Sequence, residues 1–257
     1  MVLPLQQGIL YGPVHSRRYG RSLGINLMPT VDKLCSFNCV YCHYGLTKRR
    51  TMNVGQYGSE LPEFDEVIKA LEEALQSFME LDLITFSGNG EPTLYHRFAE
   101  LVGAVVELRD RYRPAAKVAL LSNSTGLKND DVKESVENID LPVFKLDAGK
   151  AGTFSAINRP AKGIRYDEIV EILASMDDIY IQTVLVDDEP SNSGKDELNE
   201  YIDKLKKIRP KEIHIYSIDR PVPNTKISLV SPDRLEEIAA LISTTTGIAA
   251  RAFYCRT

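Results

Sequence analysis

Cys35, Cys39 and Cys42 lie on one run, Leu34 to Gly45, which reads LCSFNCVYCHYG. The spacing C-x3-C-x2-C brings three thiolates onto one short loop. Most cysteine-ligated [4Fe–4S] clusters take four cysteines, so three on a loop serve three irons and leave the fourth without a protein thiolate. The loop therefore implies an incomplete ligand set, an external ligand on the fourth iron, or no cluster at all. A structural zinc centre wants four N or S ligands, commonly as two pairs, and only His43 stands ready to help. Buried structural thiols are the other plain reading. Disulfides are disfavoured if the chain works in a reducing cytoplasm, and residues 1–11 have neither the basic start nor the long apolar stretch of a secretory leader. The fourth cysteine, Cys255, sits between Tyr254 and Arg256 and reads either as an ordinary thiol or as a thiyl or hydrogen donor.

Polar residues with chemical potential recur at the ends of apolar runs. After DLITF comes Ser87-Gly88-Asn89-Gly90-Glu91-Pro92, a turn whose glycines allow close backbone approach to a ligand and which then presents one carboxylate; a plain β-turn would look the same. KVALL ends in Ser122-Asn123-Ser124, and VFKL ends in Asp147. Strand alternation aims Lys145 and Asp147 the same way. A buried lysine is rare unless paired, so they form either a structural ion pair or a ligand-binding pair. Gln182, on IYIQTVLV, is either a satisfied core amide or another ligand contact.

These residues need a scaffold. The 257 residues carry a net charge of −5 with 43% hydrophobic residues and a mean hydropathy of −0.19, enough apolar content for a sizeable core. No apolar run approaches the roughly 20 residues of a membrane span, so a soluble, cytoplasmic chain is expected. Strand patterns occur at Asp82–Ser87, Lys117–Ser122, Val143–Asp147, Ile179–Val186 and Glu212–Ile218, with a first strand at Leu23–Met28 or Lys33–Leu34 and a closing one at Ile248–Tyr254. Between them, Phe64, Val67, Ile68, Leu71, Leu75, Phe78 and Met79 recur at helical spacing, as do Leu198, Tyr201, Ile202, Leu205 and Ile208. Ser231-Pro232 opens a last helix with a cap and a first-turn proline. Alternating β and α segments predict a mostly parallel sheet. About six βα units make an open, curved barrel where eight would close it, and parallel barrels keep their chemistry at the C-terminal strand ends.

The C-x3-C-x2-C loop with Tyr41 before its last cysteine resembles the cluster loop of the radical S-adenosylmethionine (SAM) superfamily. That resemblance implies an α/β fold, a partial (β/α)6 barrel, spanning 1–257 as one domain, with 1–22 as an N-terminal extension and 224–257 as a C-terminal helix and closing strand. It implies a [4Fe–4S] cluster on Cys35, Cys39 and Cys42, SAM chelating the open iron, reductive cleavage to a 5′-deoxyadenosyl radical, sensitivity to oxygen, and an electron donor such as a flavodoxin or ferredoxin. In the family, a Gly-Gly-Glu-like segment binds the SAM amino group; Asn89-Gly90-Glu91 resembles it, with asparagine for the first glycine. By the same likeness Asp147 or Ser122-Asn123 would meet the SAM carboxylate or ribose, Gln182 would contact SAM, and Tyr41 would border adenine.

Leu146-Asp147-Ala148 followed by Ile157-Asn158-Arg159-Pro160, with Ser16-Arg17-Arg18 and Gly20 to Asn26 upstream and Ile218 to Pro223 downstream, resembles the wyosine-synthase-related branch, which modifies transfer RNA. Those enzymes carry further cysteines for a second cluster ahead of the SAM loop; this chain has none before Cys35. A pyruvate-condensing role would then need Lys145 as a Schiff-base lysine. Arg17, Arg18, Arg21, Lys48, Arg49 and Arg50 flank the cluster loop and read as solvated or cofactor-anchoring charge, or as phosphate contacts on transfer RNA. A compact one-cluster chain with Tyr-Cys-His at 41–43 also resembles glycyl-radical activases. A non-catalytic sensor or electron carrier is the alternative of another class. The expectation is a radical SAM enzyme acting on an unidentified small molecule or peptide, with Lys145 and Cys255 as candidate catalytic residues.

Overall fold

The computed structural model describes residues 2–16, 18–77 and 80–254. Arg17, Phe78, Met79 and Cys255 lie outside the described residues. The chain divides into two compact units, one made of Leu5–Ser36 and Lys48–Val143, the other of Met1–Pro4, Phe37–Thr47 and Phe144–Thr257.

In the first unit β1 (Leu10–Ser16) and β2 (Gly20–Ile25) form an antiparallel hairpin whose register shifts between Tyr11 and Val14. Two short strands, β3 (Leu34–Cys35) and β4 (Arg49–Arg50), pair in parallel, setting Cys35 opposite Arg50. Then come α1 (Phe64–Gln76), β5 (Leu83–Phe86), α2 (Phe98–Tyr112), β6 (Lys117–Ser122) and α3 (Asp130–Ser135). β2 runs parallel to β5, and β5 to β6. All four residues of β5 are buried, the continuous apolar run of a parallel strand covered on both faces. α1 starts at a reciprocal cap between Glu63 and Glu66 and buries Val67, Leu71 and Leu75 along one stripe; each buried leucine contributes roughly 1.5–3 kcal/mol.

The strand β7 (Leu141–Lys145) crosses the division after Val143. The second unit continues with α4 (Ala151–Asn158), α5 (Tyr166–Ala174), β8 (Tyr180–Asp188), α6 (Lys195–Ile208), β9 (Glu212–Ser217), β10 (Ile227–Leu229), α7 (Pro232–Thr246) and β11 (Ala249–Phe253). β8, β9 and β11 are neighbours in parallel, and β10 adds antiparallel to β8. The Ser231 side chain accepts from the Arg234 N–H and caps α7, as the Ser-Pro signal predicts. α6 buries Leu198, Tyr201, Ile202, Leu205 and Ile208, the whole of its predicted apolar face.

Beyond small shifts at the ends of β5, β8, β9 and β11, three elements differ from expectation. Residues 10–16 form a strand although Pro13 and the exposed positions around it hide the pattern; proline is tolerated because, among the described residues, β1 pairs on one side only, with β2. The first parallel strand is Gly20–Ile25 rather than Leu23–Met28, and the alternative at Lys33–Leu34 is the short strand Leu34–Cys35, which pairs with β4 in a separate two-stranded sheet. β7 begins two residues early and ends at Lys145, so Asp147 lies beyond the strand, its side chain drawn to the Val184 N–H.

Candidate active site

In the first unit the turn after β5 is pressed against β3. Leu34 and Gly90 form a parallel bridge, and a Cβ on Gly90 would lie 1.7 Å from the Leu34 carbonyl oxygen. Only glycine allows that approach. The Asn89 side chain is buried, with Nδ2 donating to the Gln6 and Pro29 carbonyls at 2.9 Å and Oδ1 accepting from the Gln6 N–H at 2.8 Å. The Asn89 N–H donates to Asn26 Oδ1 at 3.0 Å, so Asn89 holds the turn through its side chain and its N–H and leaves its carbonyl for a ligand.

Glu91 is buried at 2% exposure. Its Oε1 accepts from the Thr93 hydroxyl at 2.6 Å, the Ser122 hydroxyl at 2.7 Å and the Thr93 N–H at 3.2 Å, and its Oε2 accepts the Asn123 N–H at 2.7 Å. Burial pushes the carboxyl above its ordinary value while these donors pull it down. The carboxylate therefore clamps the end of β6 to the turn after β5. Asn123 extends the chain of contacts: Nδ2 donates to Ser36 Oγ at 2.8 Å and to Cys35 Sγ at 3.7 Å, while Oδ1 accepts from the Thr125 N–H and hydroxyl. Ser124, with φ of +74°, turns the backbone so that its N–H meets Ser122 Oγ, and its own hydroxyl is buried without a partner.

In the second unit the loop from Phe37 to Thr47 zips onto the end of α4. The Asn38 N–H donates to the Asn158 carbonyl, the Val40 N–H donates to the Ile157 carbonyl, and Phe37 bridges Pro160. The Thr47 N–H and hydroxyl close the base of the loop on Asn38 Oδ1 and the Phe37 carbonyl, and turns from Cys42 to Cys39 and from Gly45 to Cys42 shape it. These contacts set Cys39 beside Asn158, whose Nδ2 reaches Cys39 Sγ at 3.5 Å, Tyr41 Oη at 3.3 Å and Asp147 Oδ2 at 2.7 Å.

Asp147 is the hub of that unit. It accepts from the Tyr41 hydroxyl, from Asn158 and, on Oδ1, from the Val184 N–H at 2.8 Å, with the Lys145 ammonium 3.4 Å away. Asn192, which sequence reasoning missed, donates to the Asp147 and Val184 carbonyls and accepts from the Val186 N–H. Burial and then Asp147 push the Tyr41 phenol well above its ordinary value, so it remains a neutral donor. Burial opposes charge on Lys145, but Asp147 and Tyr216 outweigh it, and the ammonium is held above lysine's ordinary value. Lys145 lies 4.8 Å from the Tyr41 ring centroid and 5.5 Å from that of Tyr216. Gln182 donates to the Tyr216 hydroxyl.

Cys35, Cys39 and Cys42 are thiols outside any disulfide. Among the described residues no group of three or more His, Cys, Asp and Glu side chains is placed to hold a metal ion; a cubane, by contrast, takes one thiolate per iron. Within each unit the contacts to sulfur suit a thiolate ligand of such a cluster: in one, Asn123 aims an N–H at Cys35 and the Ser124 hydroxyl is buried without a partner; in the other, Asn158 aims an N–H at Cys39 and its Oδ1 is buried without a partner. Ser36, Asn158, Asn192 and Tyr216 are the contributors the sequence reading passed over. Asn158 alone carried a signal, in the Ile-Asn-Arg-Pro run.

Strand ends bearing a cysteine loop and buried carboxylates define a chain built around thiolate chemistry in an α/β scaffold. The model of the radical SAM superfamily matches residues 33–188, and the chain belongs to that superfamily. It is an enzyme whose cofactors are a [4Fe–4S] cluster and SAM. It is 32% identical over 240 residues to the UPF0026 protein MJ1312 of Methanocaldococcus jannaschii, covering 91% of this chain and 70% of that one. A Brachyspira hyodysenteriae protein named GTPase Obg is 31% identical over 233 residues, 89% of this chain and 32% of that one; the chain thus spans about a third of that relative. Among solved structures, Streptococcus suis SuiB bound to the precursor peptide SuiA superposes with a TM-score of 0.66 at 15% identity, covering 93% of this chain and 51% of SuiB. The fold is accordingly the partial (β/α)6 barrel of radical SAM proteins. No helix among the described residues is long and apolar enough to cross a membrane.

Proposed function

We propose that this chain reductively cleaves SAM at a [4Fe–4S] cluster on Cys35, Cys39 and Cys42 and directs the resulting radical to a small-molecule or peptide substrate. The observation that carries this reading is the pair of amide contacts to Cys35 and Cys39, each anchored on a buried carboxylate. Such N–H groups suit sulfurs that bear negative charge. When bound, the cluster and SAM supply the 5′-deoxyadenosyl radical. The residues supply position: the Asn89-Gly90 backbone and Glu91 hold the methionyl amine, Ser122 and Asn123 fix Glu91, and Lys145, kept cationic, with Gln182 faces a carboxylate or ribose. SuiB, the peptide-bound neighbour, supports a peptide substrate as the first class to assay, and a flavodoxin- or ferredoxin-type donor supplies the electron.

Transfer RNA is the second reading. It draws on Lys48, Arg49 and Arg50, but Arg49 is bridged to Asp32 and to Glu60 at 2.7 Å and stacks over Tyr57, which leaves less charge for phosphates. Anaerobic reconstitution with iron and sulfide, followed by SAM and dithionite, tests the proposal. The expected product is 5′-deoxyadenosine, lost on changing Cys35, Cys39 or Cys42 to alanine. A reduced, iron-loaded protein that leaves SAM intact would support a carrier or sensor and overturn the reading.

A further inference from the structure

Cys35 and Cys39 share one loop and fall in different compact units, yet both are served in the same way. Asn123 Nδ2 stands 3.7 Å from Cys35 Sγ and Asn158 Nδ2 3.5 Å from Cys39 Sγ. Both amides are buried, at 7% and 1% exposure. Neither can turn over without loss. Asn123 Oδ1 accepts two bonds from Thr125, which leaves Nδ2 facing Ser36 and the sulfur. Asn158 Nδ2 faces the Asp147 carboxylate at 2.7 Å, where an oxygen would be repelled. Each asparagine is tethered in turn to a buried carboxylate, Asn123 by its backbone N–H to Glu91 and Asn158 by its side chain to Asp147.

We infer that Asn123 and Asn158 are positioning residues that raise the reduction potential of the cluster by donating N–H···S bonds to two of its thiolates. The inference rests on the proposed ligation by Cys35, Cys39 and Cys42. A thiolate that accepts an N–H passes less negative charge to its iron, so the added electron of the reduced cluster is better tolerated; hydrogen bonds to sulfur and limited solvent exposure are established controls of such potentials. Burial in a low-dielectric setting strengthens the effect. The reaction concerned is a single-electron reduction, with dithionite in the test and a flavodoxin- or ferredoxin-type donor in the cell giving up the electron, and no bond to the protein forms or breaks.

The test is an anaerobic redox titration of the reconstituted protein without SAM, followed by electron paramagnetic resonance, on wild type, Asn123→Leu, Asn158→Leu and Asn158→Asp. Leucine keeps the branched shape and removes the donor; aspartate faces the sulfur with like charge. Each leucine variant should shift the one-electron equilibrium roughly tenfold toward the oxidised cluster, about 59 mV, and Asn158→Asp should shift it further. Circular dichroism checks folding, and should Asn158→Leu unfold, Asn158→Ser, which cannot reach the sulfur, carries the same expectation. Full iron with an unshifted potential would overturn the inference. So would a folded variant that cannot be loaded, since the amide would then only hold the loop. Wild type that takes up no iron would instead sink the ligation reading itself.

Discussion

At Lys145 the choice lies between an amine that attacks carbonyls and an ammonium that binds anions. Its charged form is favoured by Asp147 at 3.4 Å and by Tyr216 against the cost of burial. A group whose folded value is raised contributes stability that is fully present below its ordinary pKa and is lost as pH rises through the raised one. Lys145→Met should therefore lower stability by about 1–3 kcal/mol, evenly from pH 6 to 9, with the deficit shrinking only in stronger alkali; thermal melts across that range measure it. Because the amine stays protonated at neutral pH, pyruvate with borohydride should leave no mass adduct on Lys145, and an adduct there would favour a condensing enzyme. Glu91→Gln is the companion case. One end of the new amide must point its N–H₂ at the donors from Thr93, Ser122 or Asn123, so a loss of about 1–3 kcal/mol is expected in denaturant titration.

Among elements, the turn after β5 and the short strand β3 depend on one glycine. Gly90→Ala drives a methyl group into the Leu34 carbonyl, so β3 must shift. A cost of about 1–3 kcal/mol is expected, or roughly 2–4 °C per kcal/mol in a chain of this size. Reconstitution should show reduced iron retention as well, because Cys35 lies on the displaced strand; full iron at wild-type Tm would show that the strand yields freely. Elements of this kind were legible where a local rule dominates: β6 spans its predicted residues, and α7 starts at its Ser-Pro cap. β1 was not, since Gly12 and Pro13 break its pattern. The cysteines, Glu91 and Asp147 could be named from spacing and strand ends. Asn123 could be named at its strand end too, but not the sulfur that it or Asn158 meets, because Asn158 meets Cys39 across 119 residues and Asn123 meets Cys35 across 88; nothing local marks a helix-end asparagine as a donor to sulfur.

For the whole molecule, the three-cysteine loop predicts about four irons per chain after reconstitution, abolished by alanine at Cys35, Cys39 or Cys42 and unaffected by Cys255→Ala, as iron and sulfide analysis will show. Stable stoichiometric zinc without iron would end that reading. Changing Lys48, Arg49 and Arg50 together to glutamine should lower melting temperature and cluster loading rather than an RNA salt slope, since Arg49 already serves Asp32 and Glu60. Tight RNA binding at physiological salt that the change abolishes would point to transfer RNA. The hairpin strand β1 bears on the behaviour of many copies at once. Among the described residues its one strand neighbour is β2, so its other side could template a neighbouring molecule. Pro13 has no N–H to offer there, and the shifted register between Tyr11 and Val14 interrupts the row of groups. Crowding in a concentrated solution therefore finds no continuous edge along β1 on which to grow a fibre.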